Sequence, residues 1–467
     1  MSRHYTKKEV DFDVEFRPSA QATAHGGQLA VAALAREYGL WDKVKAQPAL
    51  DLRTDQHKGF EPTVYVAAFV FAFCSGGKSL ADAGRLEADG ALKELLGIAR
   101  FPDESALGEW LRHLGPAGGA ALRELVRDFC AWALRRAEPA AVRHGGMLEA
   151  FFDDTQIEVE GRRFEGAKIN YDGHLALSWQ TLWVGPFLAD AIMGSPAQQK
   201  EAAASEAHGQ DVSAWLPAML EANCGLWQDV PSYLYADSAS SAGKYLEAID
   251  AHFTRWSVSY NKWTGPLEAG AAQLPEASWS ARQEEAWRDG TQHEVQYNWV
   301  RHQPGGCAEP QLFAVVRHRA VAGDFFWRYG FVVCKEHESL CTPEAAFERH
   351  RLKGDKERAF SELLRDFDLH HPPCMSLGAN HAYYLLGALA YNLLQALKVI
   401  YLPVEHRPKR VSTLLHHLLL IPVEIKRHAR KTKAVFFAPA GWLAWWRGFL
   451  TELLPRCRQL GGLAAAG

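Results

Sequence analysis

Through the first 145 positions, apolar residues recur three and four apart, in segments at 27–38, 62–74, 79–86, 104–114 and 120–137. That spacing lines one face of a helix, so the region reads as helical. Gly115-Pro116 punctuates it, and two short stretches at 91–98 and 104–114 fit a helix-turn-helix. The texture changes at Gly145. Apolar runs at 147–152, 174–184, 187–193, 232–236 and 253–260 read as strands, with helical stretches at 197–222 and 244–252 between them. Strands alternating with helices argue an α/β sheet layered by helices. From 261 to 341 the runs at 293–300, 311–318 and 325–334 are strand-like and joined by Gly- and Pro-containing loops, which predicts a β-rich insertion. Helices resume at 343–366 and 379–400.

The expected organisation is therefore a helical region at 1–145, an α/β core at 146–260 and 342–400 interrupted by the insertion at 261–341, and a basic helical region at 401–467. A chain of 467 residues has room for two to four such units. The eight cysteines are scattered and none forms a CxxC pair, so zinc ribbons and redox motifs are not expected and a reducing compartment is. The opening segment lacks the apolar core of a signal peptide, and the run at 63–74 is shorter than the roughly 20 residues that span a bilayer. These features predict a soluble cytoplasmic protein with no membrane partner.

A net charge of −4 does not announce a nucleic-acid binder. Charge is uneven, however. From Tyr401 onward there are 11 Lys and Arg against 3 Glu, with a cluster at Lys426, Arg427, Arg430, Lys431 and Lys433. Such a cluster fits phosphate contact through counterion release, and equally fits a solvated helix face.

Two places put carboxylates directly after an apolar strand: Asp153-Asp154 after 147–152, and Asp237 after 232–236. Ligands of α/β sheets gather at the carboxyl ends of strands, and two Asp on neighbouring ends could share Mg²⁺ ions for phosphoryl transfer. A third carboxylate on a helix would complete the site. Polar residues also end strands simply because turns follow, and Lys353 with Glu357 is also an ordinary i,i+4 helix pair. Consecutive strand residues point to opposite faces, so Asp153 and Asp154 cannot both face one metal site if the strand continues that far.

Asp153-Asp154-Thr155 resembles the D-x-T of the first catalytic strand of DDE transposases, which favours Asp153 as the first acid. Tyr235-Ala236-Asp237-Ser238 resembles their second signature, and His350 to Arg358 resembles the third, Y-x-x-R-G-D-x-E, with Glu357 as its acid. Ala379-Asn380 and Ala390-Tyr391-Asn392-Leu393 are similar to the A-N and A-Y-N-L helix that follows. The likeness is to bacterial insertion-sequence transposases of the insertion-sequence 4 and 1380 type, and runs from about 10 to 433.

The resemblance implies an RNase H-like core, a five-stranded mixed sheet flanked by helices, with a β-rich insertion before the Glu-bearing helix. It implies that Asp153, Asp237 and Glu357 are catalytic and hold two Mg²⁺ ions, with Mn²⁺ able to substitute. It also implies a reaction: binding inverted terminal repeats of double-stranded DNA, cleaving them, and joining 3′-hydroxyls to target DNA, in a homodimer or higher assembly associated with the bacterial nucleoid. His350 and Lys353 stand where the family has Tyr and Arg, and are expected at the DNA. The distal Lys of the family falls on Leu364. Lys262 and Trp263 follow the last core strand and are further candidate DNA contacts, Trp263 by stacking. The helical first 145 residues would recognise the element's ends, and the basic cluster would hold phosphates. Competing readings are a transposase-derived DNA-binding protein with a silent site, and a metal-dependent nuclease without strand transfer.

Overall fold

The computed structural model describes residues 20–170, 172–195, 215–261, 264–287, 289–428, 431–440 and Trp446. Its N-terminal third is helical, as the three-four periodicity predicts. Its helices include α1 (Pro62–Cys74), α2 (Glu104–His113) and α3 (Gly115–Arg136). Pro62 opens α1 at a position where its missing N–H costs nothing, and Asp103 caps α2 by accepting from the Ala106 N–H at 2.8 Å. The expected pair at 91–98 and 104–114 exists as Gly90–Leu96 and α2, but α2 turns Leu107, Trp110 and Leu111 into the core.

Five strands form the centre: β1 (Met147–Glu158), β2 (Leu175–Val184), β3 (Phe187–Gly194), β4 (Ser232–Ala236) and β5 (Arg255–Ser259). Their spatial order is β3-β2-β1-β4-β5. The β1–β2 and β2–β3 pairs are antiparallel, while β4 runs parallel to both β1 and β5. These strands are buried along most of their length, which is why they read as continuous apolar runs.

The β-rich segment does not stand apart from this sheet. Its strands β6 (Gln283–Ala286), β7 (Gln292–His302), β8 (Gln311–Ala320) and β9 (Arg328–Lys335) extend it, because β9 pairs antiparallel with the edge of β5 and the order continues β9-β8-β7-β6. Pairing in this way covers the exposed edge that β5 would otherwise present.

On one face lie α4 (Leu216–Asn223) and α5 (Gly243–His252), the latter tied to β5 by a 2.8 Å bond from the Trp256 indole to Asp250. On the other face lie α6 (Pro343–Arg351), α7 (Lys353–Ser361) and α8 (Leu377–Ala396). The stretch at 343–366, expected as one helix, breaks between α6 and α7 and ends in a π-helical turn, Glu362–Asp366. Helix α8 continues through a second π turn to Tyr401; it is long and apolar enough to cross a membrane, and 94% of its most apolar window is buried inside the fold.

The N-terminal helices pack onto α8 and share its core rather than forming a separate body. Phe69 and Phe73 of α1 meet the Tyr383 ring at 5.9 and 5.2 Å, and Arg123 of α3 grips the buried Asp190 of β3 with two bonds of 2.8 and 2.7 Å. The C-terminal basic segment, expected to be helical, is instead a hairpin of β10 (Val423–His428) and β11 (Lys431–Phe436). Val423 and Ile425 alternate with polar residues at period two, which suits a strand, and both are buried. Most of the segment at 197–222 lies outside the described residues; its described part holds α4.

Candidate active site

Pairing determines which way each acid points, because paired residues on neighbouring strands share a face. Asp153 pairs with Thr181, Phe151 with both Trp183 and Tyr235, and Tyr235 with Ser257. Asp153 therefore stands on the face that carries Trp183 and Ser257. Helices α7 and α8 cover that face: the Trp183 ring meets Phe360 at 5.3 Å and Tyr391 at 5.6 Å. Asp237 follows Ala236, whose parallel partner is Phe152, and its backbone is still extended at φ −85° and ψ 172°. One more step of the register sets Asp237 beside Asp153 on the same face.

The third signature is brought to this edge by two contacts. Thr342 caps α6 by accepting from the Ala345 N–H, and Pro343 opens the helix. The helix then delivers His350 to β5, where Ser257 and Ser259 meet its two ring nitrogens at 2.8 Å each. Lys353, the first residue of α7, places its ammonium 3.4 Å from Asp237. Glu357 belongs to α7, four residues beyond Lys353 and three before Phe360 in the sequence. The Glu357 side chain itself lies outside the described residues.

Electrostatics separate the acids. Burial pushes the Asp237 carboxyl up, but the Lys353 ammonium and the Ser238 backbone N–H outweigh it and hold the group below the usual carboxylate range. It is thus an anion at neutral pH. Asp154 points to the opposite face, where Ser178 and Gln156 donate to it. Burial, with the nearby Asp153 charge, pushes its carboxyl up to about 7 despite those two donors. His350 moves the other way: burial and the Lys353 charge lower it to about 4, so it is neutral.

His350 therefore cannot play the part expected of it. Its ring is buried and both nitrogens are engaged, which leaves none for a phosphate; it joins α6 to β5 instead. Lys353 does reach the acidic edge. Lys262, Trp263 and Arg430 lie outside the described residues, as does the Lys431 side chain. On the hairpin, Lys426 pairs across the strands with Lys433 and Arg427 with Thr432, which puts the two lysines on one face. Arg427 is engaged by Glu94 through bonds of 2.9 and 2.7 Å, and Lys426 lies 3.1 Å from Glu424.

Several residues that position the site escaped the sequence reading. Behind Glu357, Asp366 of the π turn pairs with Arg410 at 3.3 Å and accepts from the Ser412 N–H at 3.1 Å. Arg410 also reaches Ser361, and Arg358 donates to the Pro408 carbonyl. The segment at 408–412 is thus strapped across the end of α7. Leu364, at the position of the family's distal Lys, is buried in the core. Asn392 brackets the backbone of Leu188 in β3, with bonds of 2.9 and 2.7 Å to its N–H and carbonyl, and Asn380 does the same to Cys374. The two motif asparagines hold α8 in place. A signal was present for the His350 socket: Ser257 and Ser259 are two small polar residues at period two in an otherwise buried strand.

Among the described residues no three metal-binding side chains already stand together. Asp153 and Asp237 each follow the last β1–β4 pair, Asp237 already attracts an ammonium, and hard carboxylate oxygens are what Mg²⁺ and Mn²⁺ take. The donor set fits a divalent cation. No curated protein matches the chain. The pattern of the family described as transposase DDE domain, group 1, matches residues 7–453, and the chain belongs to that family.

Proposed function

We propose that the protein is a DNA transposase of the bacterial insertion-sequence type, resembling the insertion-sequence 4 and 1380 groups, that cuts its element's ends and joins them to target DNA. The observation that carries this reading is the parallel register of β1 with β4, whose last pair, Phe152 with Ala236, is followed by Asp153 on one strand and Asp237 on the other, with α7, which bears Glu357, tethered to Asp237 through Lys353. The strand order β3-β2-β1-β4-β5, with its first two pairs antiparallel and the rest parallel, supports an RNase H-like core.

Asp153, Asp237 and Glu357 would hold two divalent ions, Mg²⁺ with Mn²⁺ as a substitute, which supply charge stabilisation to an in-line phosphoryl transfer. In the first step a water oxygen bonds to phosphorus and the P–O3′ bond breaks, leaving a 5′-phosphate and, after protonation, a 3′-hydroxyl. In the second, that hydroxyl's oxygen bonds to a target phosphorus, its proton is lost, and the target's own O3′ departs. Bonds made and broken match in number, so joining consumes no nucleotide. The acids are negative and would repel DNA phosphates alone; Lys353 offsets part of that charge at the edge where the backbone must pass.

End recognition is assigned to the helical first 145 residues, and non-specific phosphate contact to Lys426 and Lys433 with Lys431 and Arg430 beside them. Action on two ends calls for a homodimer or larger assembly on DNA. The test incubates the full chain with Mg²⁺ and duplexes carrying the sequences that flank its gene. Nicking followed by strand joining is expected. Nicking without joining points to a nuclease, and end binding without nicking points to a silent descendant.

A further inference from the structure

At the end of the sheet opposite the acids, a cavity of about 340 Å³ opens between the start of β1, the start of β5 and helix α6. Arg255, Glu336, Cys341 and Arg349 line it. Glu336 sits just past the end of β9 with its side chain 1% exposed, yet neither carboxylate oxygen accepts a hydrogen bond from the protein. Its ionic neighbour is Arg255, 3.4 Å away.

Arg349 forms the facing wall. Its guanidinium lies 4.0 Å over the Tyr233 ring, donates to the Met147 sulfur and hydrogen-bonds the Tyr235 hydroxyl, while its Nε is buried without a partner. Among the described residues no carboxylate pairs with it. The cavity therefore holds two guanidinium groups against one carboxylate. A half-buried guanidinium with no carboxylate at ion-pair distance leaves positive charge uncompensated, and its planar fork is suited to phosphate. The carboxylate, in turn, calls for a donor. The volume is at the lower end for a small-molecule site.

We propose that this cavity binds a small phosphate ester carrying a hydroxyl or amino donor, of the size of a nucleoside monophosphate, with Arg349 and Arg255 on the phosphate and Glu336 on the donor. The site is independent of the acidic edge, though Arg349 directly precedes His350 and so shares its helix with the residue that seats α6 on β5.

Isothermal titration calorimetry on the full chain tests this with AMP, inorganic phosphate and a short random-sequence duplex. AMP is expected to bind saturably, and Arg349→Met to weaken it about tenfold or more, the scale of a hydrogen bond to a charged group. Glu336→Gln should weaken AMP while leaving inorganic phosphate as tight as before or tighter. Should Arg349→Met not fold, Arg255→Met, at a more exposed position, carries the same expectation. Asp237→Asn should bind AMP undiminished, which separates this site from the transposase reading. Absence of AMP binding, or equal binding by all variants, overturns the proposal. A duplex affinity that falls in Arg349→Met while AMP does not bind assigns the phosphate to the DNA backbone and overturns the free ester.

Discussion

On the face of the sheet that carries Asp153, the neighbours are Asp237 and the helix bearing Glu357, with Lys353 and the neutral His350 close by. On the face that carries Asp154, they are Ser178 and Gln156, and the carboxyl is pushed to about 7. One residue of chain separates two environments, one of which holds Asp237 below the usual carboxylate range while the other raises Asp154 above it. The contrast shows that a carboxylate becomes a candidate metal ligand through what the opposite strands and helices bring to its face. An acidic doublet alone does not say which member that is.

The largest effects should come from the first face. Asp153→Asn, Asp237→Asn and Glu357→Gln are each expected to cut Mg²⁺-dependent nicking by about a thousandfold or more, equivalent to roughly 4 kcal/mol of lost transition-state stabilisation. Each should keep end binding near wild type, since the change is nearly isosteric. An Asp153→Asn variant with normal nicking, alongside an inactive Asp154→Asn, would reverse the assignment of the two faces.

A smaller effect is expected behind that face. Arg410→Met removes the strap on Asp366 and should slow nicking about tenfold through misplacement of α7, with end binding unchanged. A loss of stability with a normal rate per folded molecule would restrict Arg410 to folding.

Next comes the hairpin. Changing Lys426 and Lys433 to Gln should lower the slope of log affinity against log salt by about 2, one unit for each phosphate no longer neutralised, whereas Arg427→Gln should change it less because Glu94 already holds that guanidinium. Equal slopes for the two variants would place the DNA elsewhere.

The smallest change in activity belongs to Asp154. Asp154→Asn should nick within about twofold of wild type, because Gln156 can turn its amide to accept from the new NH₂. Its signature is in stability. A carboxyl raised from 3.8 to about 7 favours the fold while protonated, so its contribution is present below pH 3.8 and is lost as pH rises toward 7. The variant should lack that loss and gain relative to wild type as pH rises, by about 2 °C in Tm near pH 8. His350, lowered from 6.5 to about 4, works in the other direction: stability declines as pH falls through 6.5 toward 4. Wild type and Asp154→Asn share that acid limb, so only their difference reports Asp154.

Much of this was legible from the chain. Helical periodicity located α1, α2 and α3, and period-two and apolar runs located β2 to β5 and β7 to β9 to within a few residues, while β1 runs six residues beyond the apolar run that marked it. The acids were legible because each follows an apolar run or sits in a signature helix, although β1 continues through Asp153 and Asp154 rather than ending before them. The basic hairpin was misread as helix because its charge density masks the alternation at Val423 and Ile425. His350 was misread because its place in a motif says nothing of burial. The strap at 408–412 joins residues more than forty positions apart, a relation that no local pattern carries.

The sequence by itself determined the order of elements, the three candidate acids and their family, since periodicity and motif spacing are local properties. That Asp153 and Asp154 point apart was settled by the structure, where β1 runs on to Glu158 past the apolar run that ends at 152. Which of the two faces gathers Asp237, Lys353 and the Glu357 helix was decided only by tertiary structure, through the parallel register of β1 with β4 and the seating of α6 on β5. The same holds for the shared core of the N-terminal helices and α8 and for the sheet that absorbs the β-rich segment. Those outcomes depend on which apolar surfaces and unpaired edges meet in space, and a one-dimensional pattern records the surfaces but not their partners.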